Sequence, residues 1–216
     1  MQSLLFSFAL IISLVKRFFF ILLVLFFVVD NCSAQPISFK DTIAAYNYRK
    51  ATINRTGMKV LTGWGAACFA GGLAGTFTAT NPETKYFCEM TAAWGAINTG
   101  IGLITLANVR KELAAKLNAE QSYRSYKDNT RLYLINAGLD VVYIGAGIGL
   151  NAYGQSTKNN APLYQGFGKA VVMQGVFLLL FDNVIYSAHR LDNSKWFRIM
   201  NEIRFSGSTV GIVHPF

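Results

Sequence analysis

The chain has 216 residues, of which 52% are hydrophobic and only 14% charged, whereas about 25% charged residues is usual in soluble proteins; water is therefore not its main solvent. The net charge of +9 invites a nucleic-acid reading, but the basic residues flank apolar stretches and no groove-reading motif accompanies them. Membrane topology accounts for that distribution, and nucleic acid is not expected as a partner.

The N-terminal segment reads as an export signal. Lys16 and Arg17 precede the apolar run Phe18 to Val29, and Asp30-Asn31-Cys32-Ser33-Ala34-Gln35 follows. Small residues stand one and three positions before a cut after Ala34, so residues 1–34 are expected to be removed and Gln35 to open the mature chain. Val29-Asp30-Asn31 before Cys32 are not lipobox residues, and lipidation is not expected. The apolar stretch Leu4 to Val15 upstream of the basic pair fits a start assigned too early better than an uncleaved anchor broken by two charges.

Four stretches follow that are long enough to cross a hydrocarbon core of roughly 30 Å at about 1.5 Å per residue. Residues 38–59 mix Tyr46, Tyr48, Arg49, Lys50 and Arg55 with apolar positions, an amphipathic interfacial lead-in that runs unbroken into a first span at 60–79. Asn81-Pro82 ends it, because proline cannot continue a helix and restricts the residue before it. A second span at 90–108 continues through Glu112 and Lys116, spaced i,i+4 as on a solvated helix, to Gln121. The third span, 132–152, ends in a loop predicted from Tyr153 to Gly166; the fourth is 170–188. An amphipathic tail, 189–216, carries Trp196, Phe197, Ile199, Met200 and Ile203. The aromatic-basic clusters at Tyr46 to Lys50 and Tyr123 to Lys127 hint at a duplicated hairpin unit, although any membrane interface collects such residues. The expected fold is all-α: an integral membrane four-helix bundle of two helical hairpins over 35–188, with amphipathic interfacial flanking helices.

Small residues recur every four positions at Gly63, Ala67, Gly71 and Gly75, at Ala92, Ala96 and Gly100, and at Gly145 and Gly149. Such stripes let helix backbones approach in lipid. The plain reading is that they join the four helices of one chain; the sharper one leaves a stripe over for a protein partner or a second copy. Cys68 and Cys88 are expected to lie too far apart for a disulfide. No metal-ligand spacing involves His189 or His214, and no cofactor is expected.

Asp140 lies eight residues into the third span and Asp182 six residues before the end of the fourth. In antiparallel helices both carboxyls then sit roughly 9 to 12 Å below one face. Asn136, Asn98 and His189 fall near the same layer, and Arg110, Arg131 and Arg190 enter at that face as candidate counter-charges. A register-fixing polar cluster is the plain reading and a proton or ion relay the functional one. Gln174 and Trp94 are candidates for a cavity wall, with a packed core role as the plainer alternative. No Ser-His-Asp set, paired glutamates, zinc-protease motif or phosphate loop is present, which points away from an enzyme.

The face bearing the N-terminal segment, the second connection and the tail holds fifteen Lys and Arg, the opposite face three. The positive-inside rule makes the basic face cytoplasmic, while a cleaved signal exports it. The two conflict, and the local cleavage pattern favours export.

Lys85-Tyr86-Phe87-Cys88-Glu89-Met90-Thr91-Ala92-Ala93-Trp94-Gly95-Ala96-Ile97-Asn98, together with a signal ending Ala34-Gln35, resembles an uncharacterised family of signal-bearing, four-helix membrane proteins from Bacteroidota. The resemblance implies placement in the membrane of a Gram-negative cell envelope, the inner more than the outer, and no activity. The expected role is a non-enzymatic accessory or scaffold component whose solvent is the lipid bilayer; the alternative is a small channel or transporter using the Asp140/Asp182 layer.

Overall fold

The computed structural model describes the backbone of residues 39–115, 117–206 and 209–212, with side chains at 43–115 and 117–193. The expected signal, Cys32, the Ala34 cleavage site and His214 lie outside the described residues. Four helices make up the body: α1 (Phe39–Thr78), α2 (Pro82–Ala114), α3 (Ala119–Ser156) and α4 (Ala161–Glu202). Two short strands follow, β1 (Ile203–Ser206) and β2 (Thr209–Ile212), paired antiparallel with Ile203 opposite Ile212. The tail is thus a continuation of α4 as far as Glu202, then a hairpin.

Each helix is long and apolar enough to cross a membrane. The shortest has 33 residues and the longest 42, about 50 to 63 Å at helical rise against a hydrocarbon core of roughly 30 Å. The chain is a membrane protein whose helices outrun the bilayer. On α3 the lipid-facing side chains from Leu132 to Tyr153 are exposed and apolar, a belt of about 31 Å. The excess length lies toward the end where α1 and α3 begin and α2 and α4 finish. That end carries exposed Arg49, Arg110, Arg124, Arg131 and Arg190.

The breaks between helices are chemical. Asn81 caps α2 by accepting from the Glu83 N–H at 2.8 Å, and Pro82 follows where a missing donor is harmless. Asn118 and Gln121 form a reciprocal capping box that starts α3. The second helix therefore ends at Ala114 and does not run on to Gln121. The predicted 153–166 loop shrinks to Thr157–Asn160: Asn160 takes φ 55°, a left-handed conformation asparagine tolerates, and its carbonyl accepts from Leu163 and Tyr164. Pro162 sits in the first turn of α4, and the glycines on either side pack helices together instead of forming a loop. A Cβ on Gly154 would come within 2.8 Å of Gln165, and one on Gly166 within 2.4 Å of the Glu83 carbonyl.

The close approaches are made by other small residues than the predicted stripes. In the α1–α2 hairpin Gly65, Gly72, Gly95 and Gly102 face the opposite helix so tightly that an added Cβ on Gly95 would lie 2.3 Å from the Phe69 nitrogen. In the α3–α4 hairpin Gly147, Gly154, Gly168 and Gly175 do the same, and Gly57 meets Ile185 of α4. Of the predicted stripes only Gly75, against Cys88, and buried Ala92, against Gly72, pack within the chain. Gly63, Gly71, Gly100, Gly145 and Gly149 have open space where a Cβ would stand, and Ala67 and Ala96 are exposed. The within-chain packing role assigned to these seven positions is corrected. Both sets of residues repeat at helical spacing, so period alone left the facing stripe undetermined.

Candidate functional site

Between the two hairpins the interior is polar over most of its length. At the basic end, Lys50 of α1 is 1% exposed, with its ammonium 3.1 Å from the Glu112 carboxylate of α2 and donating to Ser125 Oγ of α3 at 2.6 Å. The Glu112 oxygen nearest the ammonium lies off the hydrogen-bonding direction, so the contact is ionic. Asn54, one turn further along α1, is a hub. Its amide donates to Glu112 at 3.3 Å, and its carbonyl oxygen accepts from the Tyr133 hydroxyl at 3.3 Å and meets His189 Nε2 at 2.8 Å. Tyr133 stacks on the His189 ring. Tyr46 donates to Asn193 at 3.1 Å, and Arg49 pairs with Asp192 at 2.9 Å. This network ties all four helices together.

An apolar cluster of Met58, Leu61, Tyr133, Phe181 and Ile185 sits beside it. Beyond lies the acidic layer: the carboxyls of Asp140 and Asp182, 3% and 4% exposed, are close enough to hydrogen-bond to each other. Such a bond requires that at least one of the two groups be protonated. Among the described residues no cation pairs with either carboxyl. Arg110, Arg131 and Arg190 are exposed, and Arg190 donates instead to the Tyr186 hydroxyl; the expected counter-charge role of the three is corrected. Deeper still, Gln174 is fully buried and accepts from the Trp64 indole at 2.9 Å and from the Asn98 amide at 3.3 Å, while its own amide points to Cys68 Sγ at 3.4 Å. Cys68 and Cys88 are both free thiols.

A cavity of about 370 Å³ opens on the acidic layer, with Trp94, Asn98, Asn129, Asn136, Tyr143 and Asp182 among its walls. Of the residues predicted to cluster, Asp140 and Asp182 meet, Asn136 and Asn98 line the same cavity, and His189 is drawn away to Asn54. Trp94 lines the cavity edge-on to Tyr143, 5.4 Å between ring centres, and Gln174 is a packed hub. Among the described residues no group of three or more His, Cys, Asp or Glu converges as a metal set would.

Lys50, Asn54, Glu112 and Tyr133 were not anticipated. Lys50 reads in sequence as one more basic residue of an interfacial segment, and Glu112 as a partner for Lys116. The usable signal was the spacing of Asn47, Lys50 and Asn54, which places three polar groups on one helical face, opposite exposed Tyr48.

The sequence model of a family described as a family of unknown function, DUF6992, matches residues 60–183, more than half of the chain. The protein belongs to the DUF6992 family. The DUF6992 match runs from Val60 to Asn183 and so takes in both hairpins, the acidic layer, Gln174 and Glu112, whereas Lys50, Asn54 and His189 lie in the helix extensions outside it. No curated protein and no solved structure matches this DUF6992 chain.

Proposed function

We propose that this DUF6992 protein is a non-enzymatic accessory or scaffold component of a bacterial envelope membrane, exported on a signal ending at Ala34. The observation that carries this reading is the outward-facing stripe Gly63, Ala67 and Gly71 on α1. The glycines that close the hairpins lie on other faces, so this stripe is not consumed within the chain. Small residues on a lipid-facing stripe allow a further transmembrane helix to approach closely. The interior supports a stiff body: its polar groups bond to one another across helices, as at Asn54 and Gln174.

Affinity purification from native membranes tests it. The wild-type chain should retain a stoichiometric membrane partner or a second copy, and Gly71→Leu should lose it. Equal recovery of a lone monomer from both would overturn the proposal. Alkaline phosphatase fused after Phe216 should be active if the basic end is exported, and fluorescence of a cytoplasmic reporter there would refute export.

A second reading, a small channel or transporter, is favoured by the Asp140–Asp182 pair bordering a cavity. Against it, polar groups beyond the Gln174 layer give way to the close packing of Gly72 against Ala92 and Cys88. Ion flux in liposomes unchanged by Asp140→Asn would end the relay reading.

A further inference from the structure

The cavity has a mouth, and its position is informative. Ile101 of α2 and Leu132 and Leu139 of α3 line the cavity, yet they are 50%, 56% and 46% exposed. Side chains can be both cavity wall and protein surface only where the cavity opens, so the opening lies sideways between α2 and α3. Its rim is aliphatic, it falls within the apolar belt of α3, and Trp94 on Tyr143 closes its deep end. The cavity therefore opens toward the lipid, and a solute dissolved in the bilayer can reach it from the side.

Inside, one requirement is unmet. Asp140 is 3% exposed, and apart from a proton shared with Asp182 its Oδ2 meets no donor among the described residues. The other unpartnered buried atom of the cavity wall is the Asn129 amide nitrogen, eleven residues or about 16 Å away along the helix. It cannot serve the carboxyl. A buried acceptor without a donor costs roughly 1 to 3 kcal/mol, more when charged, and an acid inside a membrane normally has a partner. Trp94, Tyr133 and Tyr143 share the cavity wall with the two carboxyls. Aromatic rings beside a carboxylate suit an organic ammonium, which they attract through their π-faces. A bare metal ion is poorly served by walls so largely aliphatic and aromatic.

We propose that this cavity binds a lipophilic primary amine, which enters sideways from the leaflet between α2 and α3 and donates from its ammonium to Asp140 while its aliphatic chain lies along Ile101, Leu132 and Leu139. No covalent bond is made or broken: the ammonium pairs with the two carboxyls in the state that holds one proton between them. The inference is independent of the scaffold reading, since the Gly63–Gly71 stripe is on another helix.

The test uses the full chain in nanodiscs of palmitoyl-oleoyl phosphatidylcholine, whose headgroup has no primary amine, with isotope-labelled dodecylammonium as ligand, counted after separation from empty discs, and tryptophan emission as a second readout wherever no tryptophan is added. Dodecylammonium should bind saturably, with Trp94→Phe removing most of the emission change. Asp140→Asn should weaken binding at least tenfold, as should Ile101→Trp, which fills the mouth from a lipid-facing position where folding is not at stake. Dodecanol, with the same chain and no charge, should bind at least tenfold more weakly, and water-borne ethylammonium should not compete. Equal binding of dodecanol, competition by ethylammonium at similar concentration, or unaltered binding by Ile101→Trp would each overturn the proposal; the last decides the matter even if Asp140→Asn fails to fold.

Discussion

Replacing Gly95 with alanine adds a single methyl group in the middle of α2, and its cost follows from the geometry of the first hairpin. The new Cβ would stand 2.3 Å from the Phe69 nitrogen, 2.7 Å from the Gly65 carbonyl oxygen and 2.8 Å from the Cys68 carbonyl carbon, whereas ordinary contact begins at 3.4 Å. All three obstacles are backbone, so no side chain can rotate away and α1 and α2 must move apart by roughly 1 Å, an overpacking that costs about 1 to 3 kcal/mol. Alanine's better helix propensity returns at most about 1 kcal/mol, and less in lipid, where the helix has few alternatives. A net loss of about 1 to 2 kcal/mol is expected, a five- to thirty-fold fall in the folded-to-unfolded ratio. Gly100, on the same helix, has nothing within 4 Å of the equivalent position, and Gly100→Ala should be neutral or slightly stabilising. Reversible unfolding in mixed micelles of dodecyl maltoside and dodecyl sulfate, followed by circular dichroism, measures both. A cost for Gly100→Ala equal to that of Gly95→Ala would refute the assignment of the packing face.

Three further outcomes are expected. Lys50→Met should destabilise the chain by about 3 kcal/mol, because Glu112 is left without its cation, and adding Glu112→Leu should recover more than half of that, the usual behaviour of an enclosed ion pair; additive losses in the double-mutant cycle would show that the two residues act separately. Asn54→Leu removes the shared partner of His189, Tyr133 and Glu112 and should cost about 2 to 4 kcal/mol, with faster proteolysis of the basic end than of the deep end; a uniform change along the chain would count against a local hub. Gln174→Leu leaves the Trp64 and Asn98 donors without their acceptor, and should cost about 1 to 2 kcal/mol with altered near-ultraviolet dichroism from Trp64, while an unchanged tryptophan signal would remove Gln174 from that layer.

How legible the chain was varied from one feature to another. The four spans were readable because burial in hydrocarbon imposes a composition and a length on every spanning segment, whatever it packs against. The Asn81-Pro82 break was readable for a similarly local reason. Asn118 was passed over as a helix start, since its cap depends on Gln121 reaching back, and the glycines of 153–168 read as a loop because composition does not separate a flexible glycine from one that seats a neighbouring helix. The packing stripe was misassigned: glycine and alanine are frequent on several faces of α1, and only the partner helix selects among them. At the acidic layer, counting residues from antiparallel span ends placed Asp140 and Asp182 at one depth, but depth says nothing of rotation about the helix axis, which sends His189 to Asn54 and Gln174 to Trp64.

What the amino-acid sequence determined by itself was the medium, the number of crossings and the basic end, because these depend on the transfer of each segment between water and lipid and hence on local composition alone. Tertiary structure decided which glycines close the hairpins, that Lys50 is buried against Glu112, and that α2 and α3 part to open a cavity onto Asp140. Those outcomes depend on the relative rotation of four helices, and rotation is settled by contacts between residues as far apart in the chain as Asn54 and His189.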